Sequence, residues 1–181
     1  QILSAIFQKR INTPITSSLG RIFDAVAAIL DLQQYSQFEG QAAMALEFLA
    51  DDADTAKVYP LDLIVPATEP KSGKKPIIVD WEPMIRNILH DISIKIPTFL
   101  ISAKFHNSLS EAAVRVAQIV GENRVVLSGG CFQNRYLTEK TVARLTEEGF
   151  AVYWHQRIPP NDGGISLGQA IGAMRIAQSA F

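Results

Sequence analysis

The sequence contains one cysteine, almost no net charge and no long apolar run. A single cysteine among 181 residues excludes an internal disulfide and is compatible with a reducing cytoplasm. A formal net charge of −1 gives no reason to expect broad electrostatic binding to nucleic acid or to an anionic membrane. Charges interrupt the apolar stretches before they reach membrane-spanning length, and no signal peptide is evident. We therefore expect a cytoplasmic protein with neither a nucleic-acid nor a membrane partner.

The rest of the composition is typical of a folded globular protein. Apolar residues occupy 48% of the positions, which is enough for a sizeable core in one domain or two small lobes. The chain begins with Gln1 rather than methionine, so we expect a fragment whose missing part lies upstream. Helical apolar spacing dominates at first, and strand-like runs follow. We expect a mostly helical segment, 1–55, and then an α/β lobe, 56–181.

Four apolar runs have the length and composition of β-strands. Two of them, near 59–65 and 76–80, flank a basic stretch at 71–75 and are typical of a hairpin with a solvated tip. The other two, near 125–127 and 150–154, are separated by a helical pattern. We expect all four strands to share one sheet, with the N-terminal helices covering one side of a ligand cleft.

A glycine turn gives the strongest functional signal. The predicted strand that ends at Leu127 continues into Ser128, Gly129 and Gly130, and helical spacing begins within three residues. Two glycines leave backbone N–H groups uncovered, and the N-terminus of the next helix adds a favourable dipole. An anion such as phosphate could therefore bind there without a lysine. The alternative is a tight turn that binds nothing.

A second turn of this kind occurs at residues 161–164 and adds a carboxylate. Asp162 precedes two glycines and a helical pattern, so it could bind a metal ion or a ligand hydroxyl beside the phosphate. The alternative is that Asp162 caps the following helix by accepting a backbone N–H bond.

Four further residues invite a functional interpretation. Asp24 lies within an apolar helical face, where it could pair with Arg21 or bind ribose hydroxyls. Gly40 stands at the beginning of a predicted helix. His106 is interpreted as a hydrogen-bonded structural residue, because one imidazole makes no metal site. Cys131 stands near a helix N-terminus that could lower its pKa, but we interpret it as a small apolar residue under the turn.

Four motifs, in this order along the chain, resemble the C-terminal part of the HypF family, the carbamoyltransferases of NiFe-hydrogenase maturation. They are TSSLGRIFDAVA at 16–27, FEGQAA at 38–43, SGGCFQN at 128–134 and PPNDGGISLGQ at 159–169. The family is similar to the universal tRNA threonylcarbamoyl-transferase proteins. The resemblance implies an actin-like ATPase fold of two lobes, of which this chain would supply the second lobe and a helical segment.

The resemblance also implies a role for each motif. Nucleotide phosphate would lie against Gly129 and Gly130, with Asn134 near the phosphate or carbamoyl end. The ribose would contact Asp24 and Gly40. A divalent metal, whether Fe, Zn or Mg, would bind Asp162. Its remaining ligands would be histidines of the upstream lobe, since no His-x-x-x-His spacing occurs here.

The implied reaction begins with carbamoyl phosphate and ATP, which an upstream domain converts to carbamoyl-adenylate. The carbamoyl group would then pass to the C-terminal cysteine thiolate of the partner HypE, for synthesis of the CN ligand. One departure concerns Met44, which stands where the tRNA-modifying relatives carry a glutamate four residues after the ribose glycine; whether Glu47 replaces that glutamate is left open.

Two alternatives to this reaction are left open. One is an actin-fold phosphotransferase, such as a sugar or acetate kinase, although no catalytic base or first-lobe phosphate loop is visible in the sequence. The other is a non-catalytic nucleotide-binding module. Under each interpretation we expect the isolated fragment to be inactive without its upstream domains.

Overall fold

The computed structural model describes residues 2–51, 53–65 and 76–179. The helices found there are α1 (Ile2–Gln8), α2 (Leu19–Ile29), α3 (Gln41–Ala50), α4 (Glu82–Ser93), α5 (Thr98–Val120), α6 (Arg135–Glu147) and α7 (Ile165–Ser179). The strands are β1 (Asp62–Ile64), β2 (Ile78–Asp80), β3 (Arg124–Leu127) and β4 (Ala151–Trp154). Two 3-10 helices, Gly130–Gln133 and Asp162–Gly164, precede α6 and α7.

Helix α5 lies at the centre of the described chain. It begins after Pro97, and it ends at Gly121, whose φ of +76° is the left-handed conformation typical of a helix C-cap. Helices α3, α4 and α6 all contact it. The main core consists of fully buried apolar side chains from these helices and from α2, among them Phe23, Leu46, Met84, Ile88, Ile101 and Phe105. Burying each such side chain contributes roughly 1.5–3 kcal/mol relative to leaving it exposed.

The N-terminal helices differ in how they pack. Helix α2 turns its apolar stripe inward, and Phe23 meets Phe105 edge to face with ring centroids 4.9 Å apart. Helix α3 packs on both α2 and α5. Helix α1 has no buried residue, and its Leu3 and Phe7 side chains are 80% and 76% exposed. The helical character expected before residue 55 is observed, while the domain boundary itself stays a prediction.

The segment between α3 and β1 is fastened to α5 and α4 by Tyr59. Its N–H donates to Ser108 Oγ at 2.7 Å, and its hydroxyl donates to Asp91 Oδ2 at 2.7 Å. Lys104 forms an ion pair with the same carboxylate. Burial, together with the bond to Asp91, raises the pKa of Tyr59 far above its ordinary value, so the hydroxyl remains a donor.

The strands form two separate sheets. β1 and β2 pair antiparallel, with Leu63 opposite Val79, and this is the expected hairpin. Its basic tip at 71–75 lies outside the described residues. β3 and β4 pair parallel, with Val125 opposite Val152, and these two valines pack against a second small core beneath α5 and α6.

The prediction of one common sheet is therefore wrong for the described strands. Residue propensity identifies a strand but not its partner. The first two strands pair antiparallel with each other, whereas helix α6 provides the crossover that the parallel pair requires.

Within the described ranges, every helix is too short or too polar to cross a lipid bilayer.

Candidate nucleotide site

Both glycine turns lie at the carboxyl edge of the parallel pair. The first follows β3 and the second follows β4, and parallel strands end at the same edge of their sheet. The Gly129 N–H donates to the carbonyl oxygen of Pro160 at 2.8 Å, which joins the turns directly. Ser128 Oγ also lies 3.3 Å from Nε2 of His155. In open α/β sheets, ligands bind outside this edge.

The first turn presents backbone donors. Gly129 has φ +107° and ψ +156°, a conformation that only glycine adopts readily. Phe132 N–H donates to Gly129 O at 3.0 Å and is the first bond of the 3-10 helix, so the N–H groups of Gly130 and Cys131 lie ahead of its internal ladder. Among the two glycines of this turn, the positive φ belongs to Gly129 and not to Gly130. A Cβ on Gly130 would come no closer than 3.9 Å to another atom of the chain.

The second turn is capped by Asn161 rather than by Asp162. Asn161 Oδ1 accepts the Gly163 N–H at 3.0 Å, and Asn161 O accepts the Gly164 N–H at the same distance. A Cβ on Gly164 would lie 2.8 Å from Pro159 O, so this glycine is required by a close backbone approach. Asn161, and not Asp162, is therefore the residue that caps this turn.

The Asp162 side chain is exposed at the surface of this turn. In the part of the chain that the structure describes, its carboxylate has no hydrogen-bond or ion-pair partner, and no group of three or more His, Cys, Asp or Glu side chains could hold a metal ion. A carboxylate oxygen is a suitable ligand for each of the three metals expected. Asp162 therefore fits as one ligand of a site, and the other ligands would have to come from elsewhere.

Asn134 ends the first turn and caps helix α6. Its Oδ1 accepts the Leu137 N–H at 2.8 Å, and its Nδ2 lies 2.9 Å from Nε2 of His106. The residue is only 6% exposed. Both ends of the Asn134 amide therefore bond to other residues of the chain. Its contact with phosphate or the carbamoyl end stays a prediction.

The prediction that His106 is a hydrogen-bonded structural residue is confirmed. Its side chain is fully buried between the rings of Phe23, Phe105 and Tyr136. Its Nδ1 lies 2.8 Å from Ser102 O. Burial lowers the pKa of His106 to about 4, so the ring is neutral at pH 7.

Cys131 is half-buried and packs against the main core. Burial raises the pKa of its thiol. A raised pKa disfavours the thiolate that a nucleophile needs. The geometry supports the interpretation of Cys131 as a small apolar residue.

The two residues predicted at the ribose lie on neighbouring helices. Asp24 forms an ion pair with Arg21 at 2.9 Å, and the side chains are 36% and 59% exposed, so the structural alternative is realised. Helix α2 also touches the 3-10 helix of the first turn. Gly40 has φ +82° at the start of α3, and no atom lies within 4 Å of the place that a Cβ would take. Their ribose contacts stay predictions.

Sequence reasoning missed the acidic groups at the start of α6. Glu47 Oε1 accepts the Arg135 N–H at 2.7 Å, and Asp51 Oδ2 accepts from the Arg135 guanidinium at 2.6 Å. Carboxylates are stabilised at a helix N-terminus. Glu47 therefore accepts a hydrogen bond from the start of α6. Whether it also replaces the glutamate that the relatives carry at the position of Met44 stays open. Only the packing of α3 on α6 reveals these bonds.

A depression of about 200 Å³ lies beside the first turn, and sequence reasoning missed it too. Trp154 and Phe132 contribute aromatic surface to it, and Arg135 and His155 contribute polar groups. The space adjoins the turn, so a ligand larger than phosphate could extend into it.

Comparison with known proteins identifies close relatives. Residues 1–169 match the family model described as "Carbamoyltransferase, Kae1-like Domain, second subdomain". The chain is 41% identical over 170 residues to the carbamoyltransferase HypF of Synechocystis sp., covering 94% of this chain and 21% of the relative. It is 37% identical over 167 residues to HypF of Rhodobacter capsulatus, covering 91% and 20%.

Two solved structures have the same fold. A crystal structure of full-length HypF in the phosphate- and nucleotide-bound form superposes with a TM-score of 0.84 at 40% identity, covering 97% of this chain and 22% of that one. HypF of T. kodakarensis gives a TM-score of 0.75 at 27% identity, covering 98% and 22%. The chain thus spans about a fifth of the length of these relatives.

Proposed function

Because the chain belongs to the HypF carbamoyltransferase family, as the second subdomain of its Kae1-like domain, we propose that it forms one wall of a nucleotide site in a carbamoyltransferase. Its α/β architecture is that of the second lobe of an actin-like ATPase fold. The observation that carries the proposal is the bond between the two glycine turns at the carboxyl edge of β3 and β4. A related structure holds phosphate and nucleotide, which agrees with such a site.

The phosphate would bind to the main chain of the first turn. The N–H groups of Gly130 and Cys131 precede the internal bonds of the 3-10 helix, and helix α6 follows with its positive end toward them. Hydrogen bonds from such groups to a charged acceptor contribute about 1.5–3 kcal/mol each. The ribose would contact α2 and α3 through Asp24 and Gly40.

The reaction would transfer a carbamoyl group from carbamoyl-adenylate, made from carbamoyl phosphate and ATP, to the C-terminal cysteine of HypE in hydrogenase maturation. Asp162 would supply one oxygen ligand of a divalent metal, whether Fe, Zn or Mg, completed by histidines of the upstream lobe. When bound, the metal would polarise the carbamoyl carbonyl or anchor the phosphate. The Asn161 cap holds the turn that carries Asp162, and Asn161 lies next to Gly130, which supports this proposal.

The site would be completed by the subdomain that precedes this one in the relatives. Helices α1 and α7 display apolar side chains to solvent, including Leu3, Phe7 and Met174. Exposed apolar surface of this kind is typical of an interface. The experiments proposed for this site use the full-length protein, which means this chain together with those preceding subdomains.

Gly130→Val in the full-length protein tests the proposal. A Cβ at this position has room in the chain itself, and Gly130 has no positive φ, so the fold should persist. A phosphate oxygen could no longer approach the turn, and we expect ATP affinity measured by calorimetry to fall by about tenfold or more, the equivalent of one charge-assisted hydrogen bond.

A matched pair of variants controls for backbone strain. Gly129 and Gly149 have φ of +107° and +87° and lie at opposite ends of α6. Alanine should cost roughly 1–2 kcal/mol of stability at Gly149, and about 1–3 kcal/mol at Gly129, whose φ and ψ are almost restricted to glycine. Only Gly129→Ala should also weaken ATP binding. Unchanged ATP affinity in both Gly130→Val and Gly129→Ala would place the phosphate elsewhere.

A further inference from the structure

A buried chain of hydrogen bonds connects helix α3 to the first turn. Ser102 Oγ donates to Leu46 O of α3 at 2.6 Å, and Ser102 O lies 2.8 Å from Nδ1 of His106. His106 Nε2 lies 2.9 Å from Asn134 Nδ2, and Asn134 Oδ1 accepts the Leu137 N–H at 2.8 Å. Ser102 and His106 are fully buried, and Asn134 nearly so.

The donors and acceptors in this chain have one consistent assignment. The Leu137 N–H can only donate, so Asn134 must turn its oxygen toward Leu137 and its NH₂ group toward His106. His106 must then offer an unprotonated Nε2. The Ser102 carbonyl can only accept, so the imidazole proton lies on Nδ1. The Nδ1-protonated neutral ring is the form that satisfies both of its neighbours.

Asn134 transmits this orientation to the first turn. It is the last residue of the turn and the N-cap of α6, and its own N–H donates to Cys131 O at 3.2 Å. If the amide rotated, its NH₂ group would face the Leu137 N–H and the cap would be lost. The cap that fixes Asn134 at the junction of the Gly130–Gln133 helix and α6 therefore depends on the group that faces Asn134 from α5.

We infer that His106 is a positioning residue, which holds Asn134 and with it the phosphate-binding turn in the conformation that the nucleotide requires. This inference rests on the proposed function of that turn. The surroundings of His106 support it, because the rings of Phe23, Phe105 and Tyr136 contact it edge to face and its two ring nitrogens alone make directional bonds. A buried polar network whose hydrogen bonds are all made rigidifies its surroundings and favours one arrangement of its neighbours.

Three variants of His106 separate positioning from packing. In His106→Gln, the side-chain oxygen reaches the place of Nε2 and can accept from Asn134. In His106→Asn, the shorter amide reaches only the place of Nδ1, so the bond to Asn134 is lost. His106→Leu removes both bonds. Thr141→Val is the control, because it removes another buried bond, from Thr141 Oγ1 to Leu137 O, without touching His106 or the turn.

Two measurements on the full-length protein decide the matter: ATP affinity by calorimetry, and hydrogen exchange at the Leu137 amide. We expect His106→Asn and His106→Leu to lose about tenfold in ATP affinity and to speed exchange at Leu137 by a similar factor, as for one buried hydrogen bond. We expect His106→Gln to stay within about threefold of the parent protein on both. Thr141→Val should leave the ATP affinity unchanged.

The inference is overturned if folded His106→Leu binds ATP as tightly as the parent protein, or if His106→Gln is as impaired as His106→Asn. Failure of the proposed function is a different result. In that case Gly130→Val leaves the ATP affinity unchanged, because ATP binds elsewhere in the full-length protein, and hydrogen exchange at Leu137 alone decides whether His106 positions the turn.

Discussion

Acidification should destabilise the chain through the buried ring of His106. Burial lowers its pKa from the ordinary 6.5 to about 4, and this lowering corresponds to about 3 kcal/mol. A histidine whose folded pKa is lowered binds its proton more readily in the unfolded chain. Its contribution is therefore complete above pH 6.5 and is lost as the pH falls toward 4.

The magnitude can be followed across this window. Only the unfolded chain is protonated at this ring between pH 6.5 and 4, so the free energy of unfolding should fall by up to about 1.4 kcal/mol per pH unit. At pH 5 about 2 kcal/mol should already be lost. Asp91 does not confuse the measurement, because Lys104 and Tyr59 keep its pKa below the ordinary value and its contribution disappears at lower pH.

Urea unfolding of the 181-residue chain, followed by circular dichroism from pH 7.5 to 4.5, measures the effect. His106→Gln provides the reference, since it keeps the bond to Asn134 but does not titrate. Relative to His106→Gln, the parent protein should lose about 2 kcal/mol of its free energy of unfolding between pH 7.5 and 5. Parallel pH profiles would refute the conclusion that His106 is held neutral by burial.

Three further substitutions test other parts of the account. Cys131→Ala should leave carbamoyl transfer by the full-length protein nearly intact, because the raised pKa of the half-buried thiol makes it a poor nucleophile. A loss of transfer activity beyond about a hundredfold would show that the thiol reacts. Asp162→Asn should retain its melting temperature without added metal, yet lose bound metal and transfer together; elemental analysis that finds stoichiometric metal with transfer intact would remove Asp162 from the metal site. Gly164→Ala should destabilise the chain by about 1–3 kcal/mol in thermal unfolding, since the added Cβ would lie 2.8 Å from Pro159 O. Gly168→Ala is the control, because no atom lies within 4 Å of the Cβ it adds. Equal melting temperatures for the two variants would contradict the close approach at Gly164.

The positions of the glycine turns could be predicted from the sequence, but the role of each residue within a turn could not. Each turn lies between a strand and a helix and contains two adjacent glycines, so local patterns were enough to locate it. Whether Gly129 or Gly130 needs the positive φ, and whether Asn161 or Asp162 makes the cap, depends on how the two turns bond to each other across 30 residues of chain.

The sequence also did not show which strands pair or which distant side chains bond to each other. The hairpin and the parallel pair were each visible as strand-like runs, but their arrangement in separate sheets was not. The Glu47 carboxylate at the start of α6 and the His106–Asn134 bond join residues far apart in sequence. Such contacts are set by helix packing, which no local pattern records. The fold family, in contrast, was predicted correctly from the four motifs that resemble HypF.

The most direct test of the account is the mass of HypE after incubation with the full-length protein, carbamoyl phosphate and ATP. The account predicts that HypE gains one carbamoyl group on its C-terminal cysteine, and that Gly130→Val lowers the rate by about tenfold or more at limiting ATP. If HypE stays unmodified while phosphate passes from ATP to a sugar or acetate, the site is that of a phosphotransferase and the proposed function is wrong.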